Sequence, residues 1–161
     1  MSGISQVGFE PEEIRTDEPT RSARLKWVIV VDEELPAGRA TNAAICVAAA
    51  TTAAVTGLIG PDAKDADGFR HPGLPWAGCA VLAAPTGRLG QIRARATESL
   101  GVFVADMPVQ GQATRVYDEY LRRVGETATA IYNVQCVGIS CVTGSRLPMV
   151  REVGVVSECE T

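Results

Sequence analysis

The alternation of apolar and polar stretches divides the chain into strands, helices and turns. Residues 25–31, LKWVIVV, are apolar nearly throughout and rich in β-branched side chains. That pattern predicts a strand covered on both faces. A short acidic turn from Asp32 to Gly38 follows, with Pro36 inside it. Residues 39–55, RATNAAICVAAATTAAV, are dense in alanine and predict a helix. Ala43, Val47, Ala50 and Ala54 share one face of that helix. Residues 56–76 break the regularity with four glycines, three prolines and the charged run DAKDADG. A loop of this length inside a compact domain is usually functional or mobile.

The second half repeats the alternation. Residues 79–84, CAVLAA, predict a second strand, and Pro85-Thr86-Gly87 turn into a helix over 88–99. A short strand is expected over 102–105 and a helix over 112–124, with Val116, Tyr120 and Val124 on one face. A fourth strand is expected over 132–140. Residues 1–23 read as a polar tail in which FEPEEIR suggests a single helical turn. Residues 24–161 then form a single α/β domain, and 146–161 read as either an edge strand or a short helix. The order β-α-loop-β-α-β-α-β predicts a three-layer α/β/α sandwich on a four-stranded, mostly parallel or mixed sheet.

Composition narrows the partners. At 161 residues the chain is long enough to bury a core without staples. Aromatic residues are only 5% against 46% apolar, so small side chains must let the helices lie close to the sheet. The net charge is −4, and Lys26 and Lys64 are the only lysines. That balance argues against tight nucleic-acid binding. No apolar run approaches the ~20 residues of a membrane span. The five cysteines are odd in number and form no C-x-x-C, which fits reduced, buried thiols and a cytoplasmic protein.

No strong catalytic motif is present. The dinucleotide and P-loop patterns are absent. APTGRLGQ reads as an ordinary strand-to-helix turn, and GISCV as the end of a strand. Asp32, Glu33 and Glu34 stand at the carboxyl end of the first strand, where carboxylates act as bases or simply solvate a turn. Asn42, in the first turn of the helix, suits either a cap or a functional amide. Asp62, Asp65 and Asp67 depart from calcium-loop spacing, and no metal or cofactor is assigned. His71 is the only histidine and so the one ordinary proton shuttle at neutral pH. Asp106 is expected just after the third strand, at its carboxyl end.

The segments LKWVIVVDEELPAGRATNAAICVAAA and GLIGPDAKDADGFRHPG resemble an uncharacterised bacterial family, domain of unknown function two thousand. Lys26, Gly38, Asn42, Gly60, Asp65, Gly68 and His71 fall where that family repeats such residues. The family resembles type 2 peptidyl-tRNA hydrolases in fold. Those enzymes have an acidic D-L strand end and a G-K-x-x-A-Q-x-x-H-A helix. Here Glu34-Leu35 and Gly38-Arg39 stand in those places, the glutamine is missing, and Cys46 lies near the histidine position. Asp106 matches the aspartate of the hydrolases' D-A-G-R-T-Q, but Met107-Pro108-Val109-Gln110 does not match the rest. Arginine in place of lysine does not readily move a proton.

The resemblance thus implies the fold more strongly than the activity. The expected site joins the first loop, the start of the first helix, the 60–75 loop and Asp106. One reading is a protein binding a small anionic or nucleotide-like molecule through Lys26, Glu34, Arg39, Asn42 and Asp65. Another is a hydrolase of an acyl ester or amide. In it Asp106 or His71 activates water and Arg39 stabilises the oxyanion. A third is a non-enzymatic homodimeric accessory protein that uses the small-residue helix as its interface.

Overall fold

β1 (Leu25–Asp32) is apolar on both faces because it lies inside the sheet, with β4 (Cys79–Ala84) on one side and β6 (Val134–Val142) on the other. In the computed structural model the chain is described over residues 7–129 and 132–142. Between β1 and β4 lie α1 (Ala37–Ala54) and a short hairpin, β2 (Ala63–Lys64) with β3 (Arg70–His71). After β4 come α2 (Thr86–Thr97), β5 (Val102–Pro108), α3 (Val109–Ala113) and α4 (Tyr117–Gly125). The expectation for residues 146–161 lies outside the described residues.

The main sheet has the order β4-β1-β6-β5 and is mixed. β1 and β4 run parallel, whereas β6 runs antiparallel to both β1 and β5. Of the two expected arrangements, mostly parallel or mixed, the mixed one is formed. A parallel neighbour needs a crossover that returns the chain to the starting end of the sheet. Here α3 and α4 stay at the carboxyl end of β5, where Val109 N donates to Asn133 O at 3.0 Å. The next strand has to run back.

Successive strand residues face opposite sides. Trp27 and Ile29 of β1 join Ala105, Met107 and Cys136 against Ala43 and Val47 of α1. Val30 joins Ala84, Val134, Val137 and Ile139 against Leu89, Ile92 and Ala96 of α2. Each face of the sheet thus carries one helix. On α1 the buried positions are Ala43, Val47 and Thr51, while Ala50 is exposed, so the face is rotated from the expected one. Thr51 can be buried because its hydroxyl donates to Val47 O at 2.8 Å. Gly138 of β6 lies under this helix, and a Cβ there would stand 2.4 Å from Val47 Cγ1.

Three local features depart from expectation. β5 runs on to Pro108, so Asp106 lies within the strand and not after it. The helix expected over 112–124 is two helices, broken where Thr114 and Val116 are extended. Thr114 Oγ1 donates to Gln110 O at 3.0 Å, satisfying a carbonyl at the end of α3. Residues 56–76 contain the β2–β3 hairpin, pairing Ala63 with His71 and Lys64 with Arg70. Residues 7–24 run against the domain. Phe9 is buried with its ring 4.7 Å from that of Trp76, and Arg24 donates to Gly8 O at 2.7 Å and to Glu13. Among the described residues no helix is long and apolar enough to cross a membrane.

Candidate functional site

The adjacent parallel strands β1 and β4 send their following helices to opposite faces. The crevice beyond such a pair of carboxyl ends is a common ligand position in α/β sheets. Asp32 sits there and is buried. Thr86 Oγ1 donates to its Oδ2 at 2.8 Å, and Glu34 N donates to its Oδ1 at 3.0 Å. Asp32 thereby fastens the turn after β1 to the start of α2. Glu33 and Glu34 beside it are exposed.

The start of α1 is fastened to α3. Arg39 Nε donates to Gln112 Oε1 at 2.9 Å. Gln112 Nε2 in turn donates to Arg39 O at 2.8 Å and to Asn42 Oδ1 at 2.9 Å. Gln112 can do this because it offers donors and an acceptor on one amide.

Beside this latch, α1, β5 and the α3–α4 segment enclose a groove of about 520 Å³. Ala49, Ala50, Met107 and Val116 give it an apolar lining, with Cys46 exposed along α1. Tyr117 and Tyr120 form one wall, their ring centroids 5.3 Å apart. Arg115 lies at the same wall and pairs with no carboxylate among the described residues.

Asp106 lies at the rim. Arg93 of α2 donates to its Oδ2, and the Tyr132 hydroxyl donates to its Oδ1 at 3.0 Å. The Arg93 guanidinium also lies 4.9 Å from the Tyr132 ring centroid, within cation–π range. Burial and the neighbouring Asp106 carboxylate raise the Tyr132 phenol above its usual value. Burial, Tyr117 and Asp106 raise Tyr120 as well. Tyr120 and Tyr132 therefore both feel the Asp106 carboxylate, and Tyr117 stands against Tyr120.

The expected site residues fall into two groups. Arg39, Asn42, Glu34 and Asp106 lie toward the carboxyl ends of β1 and β5, and Arg39 and Asn42 share Gln112. Lys26, Asp65 and His71 do not join them. The 18 residues of α1 carry the chain ~27 Å along the sheet before the hairpin begins. Lys26, at the start of β1, donates its ammonium to Arg21 O. Asp65 Oδ1 accepts from Asp67 N and Phe69 N, which shapes the hairpin turn, and its Oδ2 lies 3.4 Å from His71 Nε2. Among the described residues no three His, Cys, Asp or Glu side chains are grouped as a metal needs.

Sequence patterns marked Tyr120 only as part of a helix face and did not single out Gln112, Arg115 or Tyr117. One signal was available. In a chain with so few aromatics, two tyrosines spaced for a single helix face mark an aromatic surface.

Comparison with known proteins agrees with this picture at the level of fold. A solved structure of a protein of unknown function, Atu0240 from Agrobacterium tumefaciens strain C58, is similar with a TM-score of 0.68. The two share 15% identity, over 86% of this chain and 98% of that one. No curated protein matches the chain. The family model described as "Protein of unknown function (DUF2000)" matches residues 25–146, well over half of the sequence, and the chain belongs to that family.

Proposed function

We propose that this protein binds a small anionic molecule with an aromatic or apolar body in the groove between α1, β5 and α4. The observation that carries this reading is the Tyr117–Tyr120 wall over an apolar floor, with Arg115 beside it and paired with no carboxylate among the described residues. Tyrosines offer flat apolar area and a polar edge at low conformational cost. A guanidinium near them offers paired hydrogen bonds to a carboxylate or phosphate. Concave apolar sites with a few polar groups are the usual form of small-molecule pockets.

Hydrolysis is the less favoured use of the same region. A base must have a free lone pair aimed at water. Asp106 is engaged by Arg93 and Tyr132, and His71 lies on the distant hairpin. A helix on each sheet face supports the finer reading of a three-layer α/β/α sandwich of the peptidyl-tRNA hydrolase type 2 kind. Free thiols at Cys46, Cys79, Cys136 and Cys141 support a cytoplasmic setting.

The aromatic sulfonate 8-anilinonaphthalene-1-sulfonate serves as a probe of the groove. Its fluorescence is expected to rise on one-to-one binding to the full chain. Arg115→Ala is expected to weaken that binding about tenfold, the loss of one charge-assisted contact. Ala50→Trp, which fills the groove, is expected to abolish it. Binding unchanged in both variants would sink the proposal.

A further inference from the structure

β4 is the most uncovered strand of the sheet. α1 and α2 lie over β1, β5 and β6. Cys79, Ala80, Val81 and Ala83 are exposed, Val81 at 61%. β4 is also an edge, with no strand beyond it among the described residues. Its sequence, CAVLAA, holds no charge and no proline, and its register against β1 is unbroken from Cys79 to Ala84. Monomeric proteins protect such edges with charges, prolines, bulges or a covering element. β4 has none of the first three and little of the fourth.

We infer that β4 pairs with β4 of a second copy of this chain. A twofold axis normal to the sheet brings two such edges together antiparallel and continues each face into the same face of the partner. Centred on Val81, it sets Val81 against Val81, Ala80 against Leu82 and Cys79 against Ala83. A twofold contact sets the residue on the axis against its own copy and crowds the few around it, so a strand without charge meets no like-charge repulsion on self-pairing. The side chains opposed are small and apolar, which allows close approach. A foreign strand would need side-chain pockets to select it, and β4 offers only a shallow row of alanines around Val81. Cys79, Val81 and Ala83 lie on the same face as Trp27 and Ile29. Pairing shields them together with the open backbone groups.

Sedimentation velocity on the full chain over a concentration series tests this, alongside amide hydrogen exchange. The expected species has twice the 17.0 kDa chain mass. Val81→Lys is expected to halve the mass while the circular dichroism spectrum and melting temperature are kept, since Val81 supports little of the core. Ala83→Lys is expected to act likewise. The outward amides of β4 should be protected in the wild type and exposed in both variants. A single-chain mass up to about 1 mM, or a double mass unaffected by both substitutions, overturns the pairing. Protected β4 amides in a single-chain species also overturn it, because the edge would then be covered from within the same chain.

Discussion

Gln112 Nε2 and Asn42 Oδ1 are hydrogen-bonded at 2.9 Å, which joins α3 to the first turns of α1 across 70 residues of sequence. The same amide exchanges two further bonds with Arg39. Gln112→Ala removes all three, in a place where water can replace them. The expected loss is about 1 kcal/mol in a urea titration. Faster amide exchange in α3, with α2 unaffected, would place the effect at the latch. No change in either measurement would mean the latch holds nothing in solution.

Arg93, Asp106 and Tyr132 form a second unit, on the side of β5 that faces α2. The side chains of Arg93 and Asp106 are 26% and 15% exposed. Removing the arginine leaves a mostly buried carboxylate with one donor. Arg93→Ala is expected to cost about 1–3 kcal/mol, and Tyr132→Phe about 1 kcal/mol. Adding Asp106→Asn to Arg93→Ala should recover part of the loss, and a double-mutant cycle by denaturation measures it. Full additivity of the two substitutions would count against the pairing.

Burial pushes the Cys136 thiol up to about 12. Folding therefore favours its neutral form. An unfolded cysteine ionises near ~8.5. The stability linked to Cys136 is complete below that value and is lost as pH rises from there toward 12. Tyr132, also raised, adds a loss that begins near ~10. Stability measured between pH 8 and 11 should fall, and less steeply in Cys136→Ala. With a thiol reagent at pH 8, exposed Cys46 should react at once and Cys136 only on unfolding.

Gly138 and Gly90 offer a paired comparison. A Cβ at Gly138 meets Val47 at 2.4 Å, whereas one at Gly90, inside α2, meets nothing within 4 Å. Gly138→Ala is expected to destabilise by about 1–3 kcal/mol through overpacking. Gly90→Ala is expected to stabilise by about 0.5–1 kcal/mol by reducing unfolded-state freedom. Thermal melts of both variants check the opposite signs.

How far the site could be read from sequence depended on separation along the chain. Asp106 and Asn42 were marked by their positions at strand and helix ends, which local patterns reveal. His71 and Asp65 looked like partners of Arg39 because a long loop follows the helix. The rigid span of α1 carries them to the other end of the sheet. Gln112 carried no mark, because a half-buried glutamine gains its role only from the groups it meets across the fold.

The sequence by itself determined the strands and helices around the core. Runs of β-branched residues, alanine-rich periods and Pro-Gly turns act within a few residues of one another. It also set which side chains alternate toward each sheet face, so two buried layers were foreseeable. Tertiary structure alone decided the antiparallel return of β6, the break between α3 and α4, and the approach of Tyr120 and Tyr132 to Asp106. Those outcomes depend on where distant segments end in space. Backbone hydrogen bonds and close packing choose among arrangements that the local pattern leaves equally open.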